Sequence, residues 1–315
     1  MSPIPHLDRR LVVVTGKGGT GKSTVAAALA LVAARLGKRV LVAEVNATER
    51  VAPLLGAPPA GPVVREARPG ISTVDVTPPA ALREYGLQVV RFQAIYDAVF
   101  ENRLVRHFLR VVPGLGELVM LGKILHKARA AEGGRPRWDQ VIVDAPATGH
   151  AVQLLRVPGA LLGMVPAGPL RSDAQWMHDW LVDPARTATV LVTLPEEMPV
   201  TEAIELDRLL RERVGMEPTA VLVNAMPAAR FTDEQVARLA PLAEAAGPVG
   251  PAARAARLQA VRSGLARREL ARLRVALPLP TACLPLLATT GWGSREVERI
   301  ADALAGGPGG SPWLD

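Results

Sequence analysis

Gly16-Lys17-Gly18-Gly19-Thr20-Gly21-Lys22-Ser23-Thr24 follows directly on the apolar run Leu11-Val12-Val13-Val14-Thr15 and leads into the alanine- and leucine-rich stretch 25–36. A buried strand feeding a glycine turn that opens a helix is the setting of a phosphate-binding loop. Glycine is needed because only a backbone without side chains can wrap a phosphate closely and turn its N–H groups inward. The helix that follows aims the positive end of its dipole at the same point. In this pattern Gly18, Gly19, Thr20, Gly21, Lys22, Ser23 and Thr24 cradle the nucleotide. Lys22 neutralises β/γ-phosphate charge and the Ser23 hydroxyl is a ligand for Mg²⁺. ATP or ADP with Mg²⁺ is therefore the expected cofactor.

The chain has 315 residues, 49% of them hydrophobic and 21% charged, enough to bury a sizeable core in one large α/β domain. The most apolar region, 151–170, is interrupted by Arg156, Pro158 and Pro166, so no integral membrane segment is expected. The first ten residues hold His6, Asp8, Arg9 and Arg10 and no apolar leader, and Cys283 is the single cysteine. Both features lead to an expectation of a cytoplasmic protein without disulfides. The net charge of +7 comes from arginines spread along the chain, densest from Arg254 to Arg274, with few aromatics among them. That pattern reads as a solvated helix face, and nucleic acid is not an expected partner.

Short β-branched runs alternate with longer helical patterns, the rhythm of a doubly wound, mostly parallel α/β sheet. Strands are expected at 11–15, 39–45, 72–76, 140–144, 188–193, 219–223 and 274–278. Helices are expected near 22–36, 148–156, 199–213, 232–246 and 293–305. An ATPase domain over 10–305 is interrupted by a helical insertion over 79–132, and 306–315 reads as a flexible tail because Gly306-Gly307-Pro308-Gly309-Gly310 cannot hold a fixed shape. The insertion holds Tyr85, Phe92, Tyr96, Phe100 and Phe108. Phe92, Tyr96 and Phe100 share one helix face, which either packs as core or forms a groove for a hydrophobic client.

Val141-Ile142-Val143-Asp144 is an apolar strand ending in an acid, followed by Ala145-Pro146-Ala147-Thr148-Gly149-His150. An aspartate at such a tip can hold the water shell of Mg²⁺, and Gly149 lets the turn respond to the terminal phosphate. Ser23 and Asp144 are thus the expected metal-site pair.

With its extra lysine at position 17, the loop is similar to the deviant-Walker class of ATPases. The whole globular part resembles the arsenite-pump and tail-anchored-protein-targeting ATPase family, and its bacterial branch in particular. The motifs that carry the likeness are 16–24, Pro113-Gly114 with Glu117 and Lys123, 144–150, Leu154-Leu155-Arg156-Val157-Pro158, Val223-Asn224 and Leu284-Pro285-Leu286-Leu287. The resemblance implies a dimer, with itself or with a paralogue, in which Lys17 reaches the partner's nucleotide. It implies adenine contacts from Asn224 and from a 285–291 loop beginning with Pro285 and Leu286. It also implies an apolar helical surface for a hydrophobic or membrane-protein client, gated by ATP hydrolysis.

Three departures limit the transfer. The family's water-orienting aspartate is matched by Asn46, whose amide can position water but cannot accept its proton, so slow turnover is expected. The targeting factor's paired cysteines are absent, so zinc is not expected. One cysteine also cannot supply a metalloid site. Two other classes remain in view: a partition or division-site positioning ATPase on DNA or membrane, and a nucleotide-gated structural subunit with little turnover.

Overall fold

A computed structural model describes residues 8–45, 49–90, 114–306 and 313–314, with backbone alone described for 85–90 and 313–314. β1 (Leu11–Gly16) is buried at all six positions, as a Val-rich strand covered on both faces must be. The glycine turn leads into α1 (Lys22–Arg35), in which every residue from Val25 to Ala33 is buried. The small alanine side chains let this helix lie close to the sheet on one side and to the C-terminal helix on the other.

Next come β2 (Val40–Val45), the single-turn α2 (Val51–Leu54), β3 (Arg65–Arg68), β4 (Ile71–Val76) and α3 (Pro78–Val90). After the undescribed stretch 91–113 follow α4 (Leu115–Arg129), a small hairpin of β5 (Ala131–Glu132) and β6 (Arg135–Pro136), β7 (Gln140–Ala147), α5 (Thr148–Met164) and α6 (Pro169–Val182). The last third holds β8 (Thr187–Thr193), α7 (Glu197–Leu209), β9 (Ala220–Met226), α8 (Asp233–Leu239), α9 (Val249–Ala276), β10 (Thr281–Pro285), α10 (Ser294–Leu304) and β11 (Trp313–Leu314).

The main sheet has nine strands in the order β11-β10-β9-β8-β1-β7-β2-β4-β3, parallel except at its two edges, where β3 pairs β4 and β11 pairs β10 antiparallel. One apolar cluster lies between the sheet and α3 to α7 with α9; the other holds α1 and α10 on the opposite face. This is the doubly wound class expected. Because β1 lies between β7 and β8, its carboxyl end opens into the crevice where such sheets collect ligands. Among the described residues no helix is long and apolar enough to cross a membrane.

One expected strand is corrected. Residues 274–276 are the last turn of α9, and the strand is Thr281–Pro285. The run Arg274-Val275-Ala276 carries the helix on until Pro278 and Pro280 forbid it, and the strand begins only past those prolines. The helix expected over 232–246 is shorter, ending at Leu239 before a separate turn at Pro241–Glu244. Helix α5 is longer than expected, running through Pro158 to Met164. The chain end expected to be free from 306 pairs again with the sheet, Leu314 opposite Thr281 and Trp313 opposite Ala282. Most of the aromatic insertion face falls outside the described residues: Phe92, Tyr96, Phe100 and Phe108, and the side chain of Tyr85.

Candidate nucleotide site

The phosphate-binding loop is held by contacts that leave no room for side chains. Gly16 has φ +153°, and a Cβ there would lie 2.1 Å from the Val192 carbonyl oxygen of β8. Gly21 has φ +89° as the residue before α1, and a Cβ would lie 2.3 Å from the Asn224 amide nitrogen. Asn224 at the end of β9 donates from Nδ2 to the Thr20 carbonyl at 2.9 Å, so the amide expected near adenine braces the loop itself. Thr20 Oγ1 in turn donates to the Lys17 carbonyl at 2.9 Å, closing the turn.

Lys22, at the first turn of α1, donates to the same Lys17 carbonyl at 3.1 Å. Burial pulls its pKa down; Asp144 opposes this and the Arg50 charge adds to it. Ser23 Oγ donates to Asp144 Oδ2 at 2.6 Å, so the structure brings the expected metal-site pair together between the first turn of α1 and β7. Asp144 is only 4% exposed, its Oδ1 has no hydrogen-bond partner, and burial pushes its carboxyl pKa up. Thr148 Oγ1, four residues on, is also buried without a partner. Two buried oxygens without donors, one of them on a carboxylate reluctant to ionise, suit a hard, oxygen-seeking cation. The residues present therefore fit Mg²⁺.

Lys17 does not hang free. Its ammonium makes a 2.5 Å ion pair with Glu202 of α7, both side chains about a third exposed. Pro285 ends β10, and the next residue, Leu286, donates its N–H to the Met226 carbonyl at 2.9 Å. Asn46 lies outside the described residues.

The open cleft beside the loop has a volume of about 440 Å³, lined by Gly19, Gly21, Lys22, Ser23 and Thr24 on one wall. The other wall is Glu49, Arg50, Pro53, Leu54 and Trp292. Sequence reasoning missed Arg50 and Trp292, and also Glu44. The Glu44 carboxylate, 1% exposed on β2, accepts the Arg50 and Val51 N–H groups at 2.6 and 3.0 Å. Burial, with Asp144 and Glu49 nearby, pushes its pKa up to about 7 against the pull of those two donors. An acid inside the apolar run 40–45 is the signal that could have found it.

This architecture agrees with what the chain is similar to. A family model described as anion-transporting ATPase matches residues 9–165. The ATPase BagA of Mycobacterium tuberculosis is 32% identical over 245 residues, covering 73% of this chain and 69% of that protein. The chain belongs to the anion-transporting ATPase family. A putative arsenical pump-driving ATPase of Halobacterium salinarum is 26% identical over 238 residues, and an arsenical pump-driving ATPase of Escherichia coli 24% over 229. Each match takes in two thirds or more of this chain but only 36% and 38% of those longer proteins. The chain is accordingly an ATP-binding protein and an ATPase of the P-loop type.

Proposed function

We propose that this ATPase is a Mg·ATP-dependent dimeric switch whose nucleotide state opens and closes a helical, apolar surface for a hydrophobic protein client. The observation that carries the nucleotide half is the 2.6 Å contact between Ser23 on the phosphate-binding helix and Asp144 at the tip of β7. It joins the loop that holds phosphate to the strand that leads into Thr148-Gly149-His150, the first turn of α5. Mg²⁺ would be held by Ser23 Oγ and, through water, by Asp144, and would supply charge neutralisation at the β- and γ-phosphates.

The chain's own groups do the rest. Gly18, Gly19, Thr20, Gly21 and Thr24 present backbone N–H groups to the phosphates, and Lys22 adds a point charge. Asn46 orients the attacking water without taking its proton, which makes turnover slow. Asn224, with Pro285 and Leu286, borders the adenine. Lys17 leaves Glu202 and reaches the nucleotide of a second subunit. An ion pair a third exposed is worth about 0–1 kcal/mol, so the new contact easily outweighs it.

A second set of contacts supports coupling to the insertion proposed over 79–132. Glu49, on the cleft wall, accepts the Gly61 N–H with both oxygens, at 3.0 and 2.9 Å. The adjacent Pro62 carbonyl accepts from Lys123 Nζ of α4 at 3.1 Å. Lys123, 7% exposed, is paired with Glu84 of α3 at 3.3 Å, and Lys127 holds the same carboxylate at 2.8 Å. A shift of Glu49 on the cleft wall can thus be transmitted to the two helices at the root of the insertion.

The test is Lys22→Ala. Calorimetry with Mg·ATP is expected to show affinity or hydrolysis collapsing while the circular dichroism spectrum is kept. Unchanged affinity together with unchanged hydrolysis would sink the assignment.

A further inference from the structure

The wall of the cleft facing the phosphate-binding loop carries a cation to which none of the expected roles applies. Arg50 is the residue before α2, solvent-exposed, and it lines the same cleft as Gly19, Gly21, Lys22 and Ser23. Among the described residues no carboxylate pairs with its guanidinium, whereas the other basic side chain of the loop, Lys17, is engaged by Glu202. An arginine on a protein surface rich in ion pairs usually finds an acid. Here it points its charge into a cavity already holding Lys22, a repulsive arrangement until an anion enters.

Its position is built rather than incidental. The Arg50 N–H is tied at 2.6 Å to Glu44, which is buried on β2 and lies in register beside Asp144 on β7. The main chain at residue 50 is therefore fixed to the two strands that present the metal-site acid. The guanidinium is close enough to Lys22 and Asp144 for its charge to lower the pKa of each. Those two groups mark the β/γ end of a bound triphosphate, not its base end.

We propose that Arg50 is a terminal-phosphate ligand, supplied in cis, that distinguishes nucleoside triphosphate from diphosphate in this ATPase. The proposal rests on the phosphate-loop reading given above. The terminal phosphate carries more charge than Lys22 alone can offset, and a planar guanidinium can hold two of its oxygens at once. A preorganised cation at the transferring group stabilises charge in the transition state as well as in the bound state.

The experiment uses the full chain with Arg50→Ala and Arg50→Lys. Calorimetry in Mg²⁺ measures binding of ADP and of a non-hydrolysable ATP analogue, and steady-state hydrolysis separates kcat from KM. Because the bond to Glu44 comes from the main chain, both variants keep it, and melting temperatures check that the fold is unchanged. Arg50→Ala is expected to bind ADP within about twofold of wild type and the ATP analogue about 10- to 100-fold more weakly, the effect of losing a charge-assisted hydrogen bond. kcat should fall as well, and Arg50→Lys should restore part of the binding but less of kcat. Equal losses for ADP and the ATP analogue would overturn the terminal-phosphate assignment, and no loss for either would make Arg50 a solvated side chain. Lys22→Ala, run alongside, reports on the loop itself: if it binds both nucleotides like wild type, the underlying reading fails instead.

Discussion

Glu44→Gln should remove a pH dependence that the fold imposes on itself. The Glu44 carboxyl titrates at about 7 rather than near 4.5, chiefly because burial on β2 penalises its charge. Between those two pH values the native state keeps a proton that the unfolded chain releases, so this residue's contribution to stability is fully present below 4.5 and is lost as the pH rises through 7. At about 1.4 kcal/mol for each tenfold change in proton affinity, the gap corresponds to about 3 kcal/mol. A glutamine can still accept the Arg50 and Val51 N–H bonds with its carbonyl oxygen but has no charge to bury. Asp144, also raised by burial, bends both proteins' profiles in the same direction, so the difference between them reads Glu44 together with its coupling to Asp144. Urea unfolding followed by circular dichroism, without nucleotide, at intervals from pH 4.5 to 8 reads the difference. Wild type is expected to lose about 3 kcal/mol more than Glu44→Gln across that range, a large share of ordinary domain stability. Parallel loss in the two proteins would show that Glu44 ionises normally and that the buried-acid argument is wrong.

Other changes test single contacts. Gly16→Ala puts a Cβ against the Val192 carbonyl at a positive φ, so the cost should exceed about 3 kcal/mol and lower the melting temperature sharply; a variant as stable as wild type would mean the loop lies elsewhere. Glu202→Gln releases Lys17 at a stability cost of about 1 kcal/mol or less, so melting should barely change. Nucleotide-dependent dimerisation, followed by sedimentation, should then need up to about fivefold less ATP, and an unchanged requirement would mean that the pair does not restrain Lys17.

The parts of the molecule legible in the sequence were those where several local signals coincide. A β-branched strand, a glycine turn and an alanine-rich helix converge on residues 11–36, and the Ser23–Asp144 contact follows from β7 pairing parallel beside β1, which sets its tip against the start of α1. Edge and connecting pieces were harder. The segment 274–278 has strand-like residues but continues a 28-residue helix, because a neighbouring helical turn outweighs weak local preference. Thr281-Ala282-Cys283-Leu284 has little β-branching and becomes a strand through pairing with β9. Arg50 and Trp292 escaped notice because nothing local marks them: the chain brings them to the cleft only when α2 and the segment before α10 pack beside α1. The resemblance assigns Lys17 to a partner's nucleotide, and its engagement by Glu202, 185 residues away, is a tertiary fact that no motif encodes.

The central claim is that nucleotide at the phosphate loop controls the helices at and beyond α3 and α4. Hydrogen exchange over residues 85–121, compared between the ADP-bound protein and the protein held with a non-hydrolysable ATP analogue, measures that control directly. Amide protection in this segment is expected to differ between the two states, with the change absent in Lys22→Ala. Equal and high protection in both states would contradict it and make the segment permanent core.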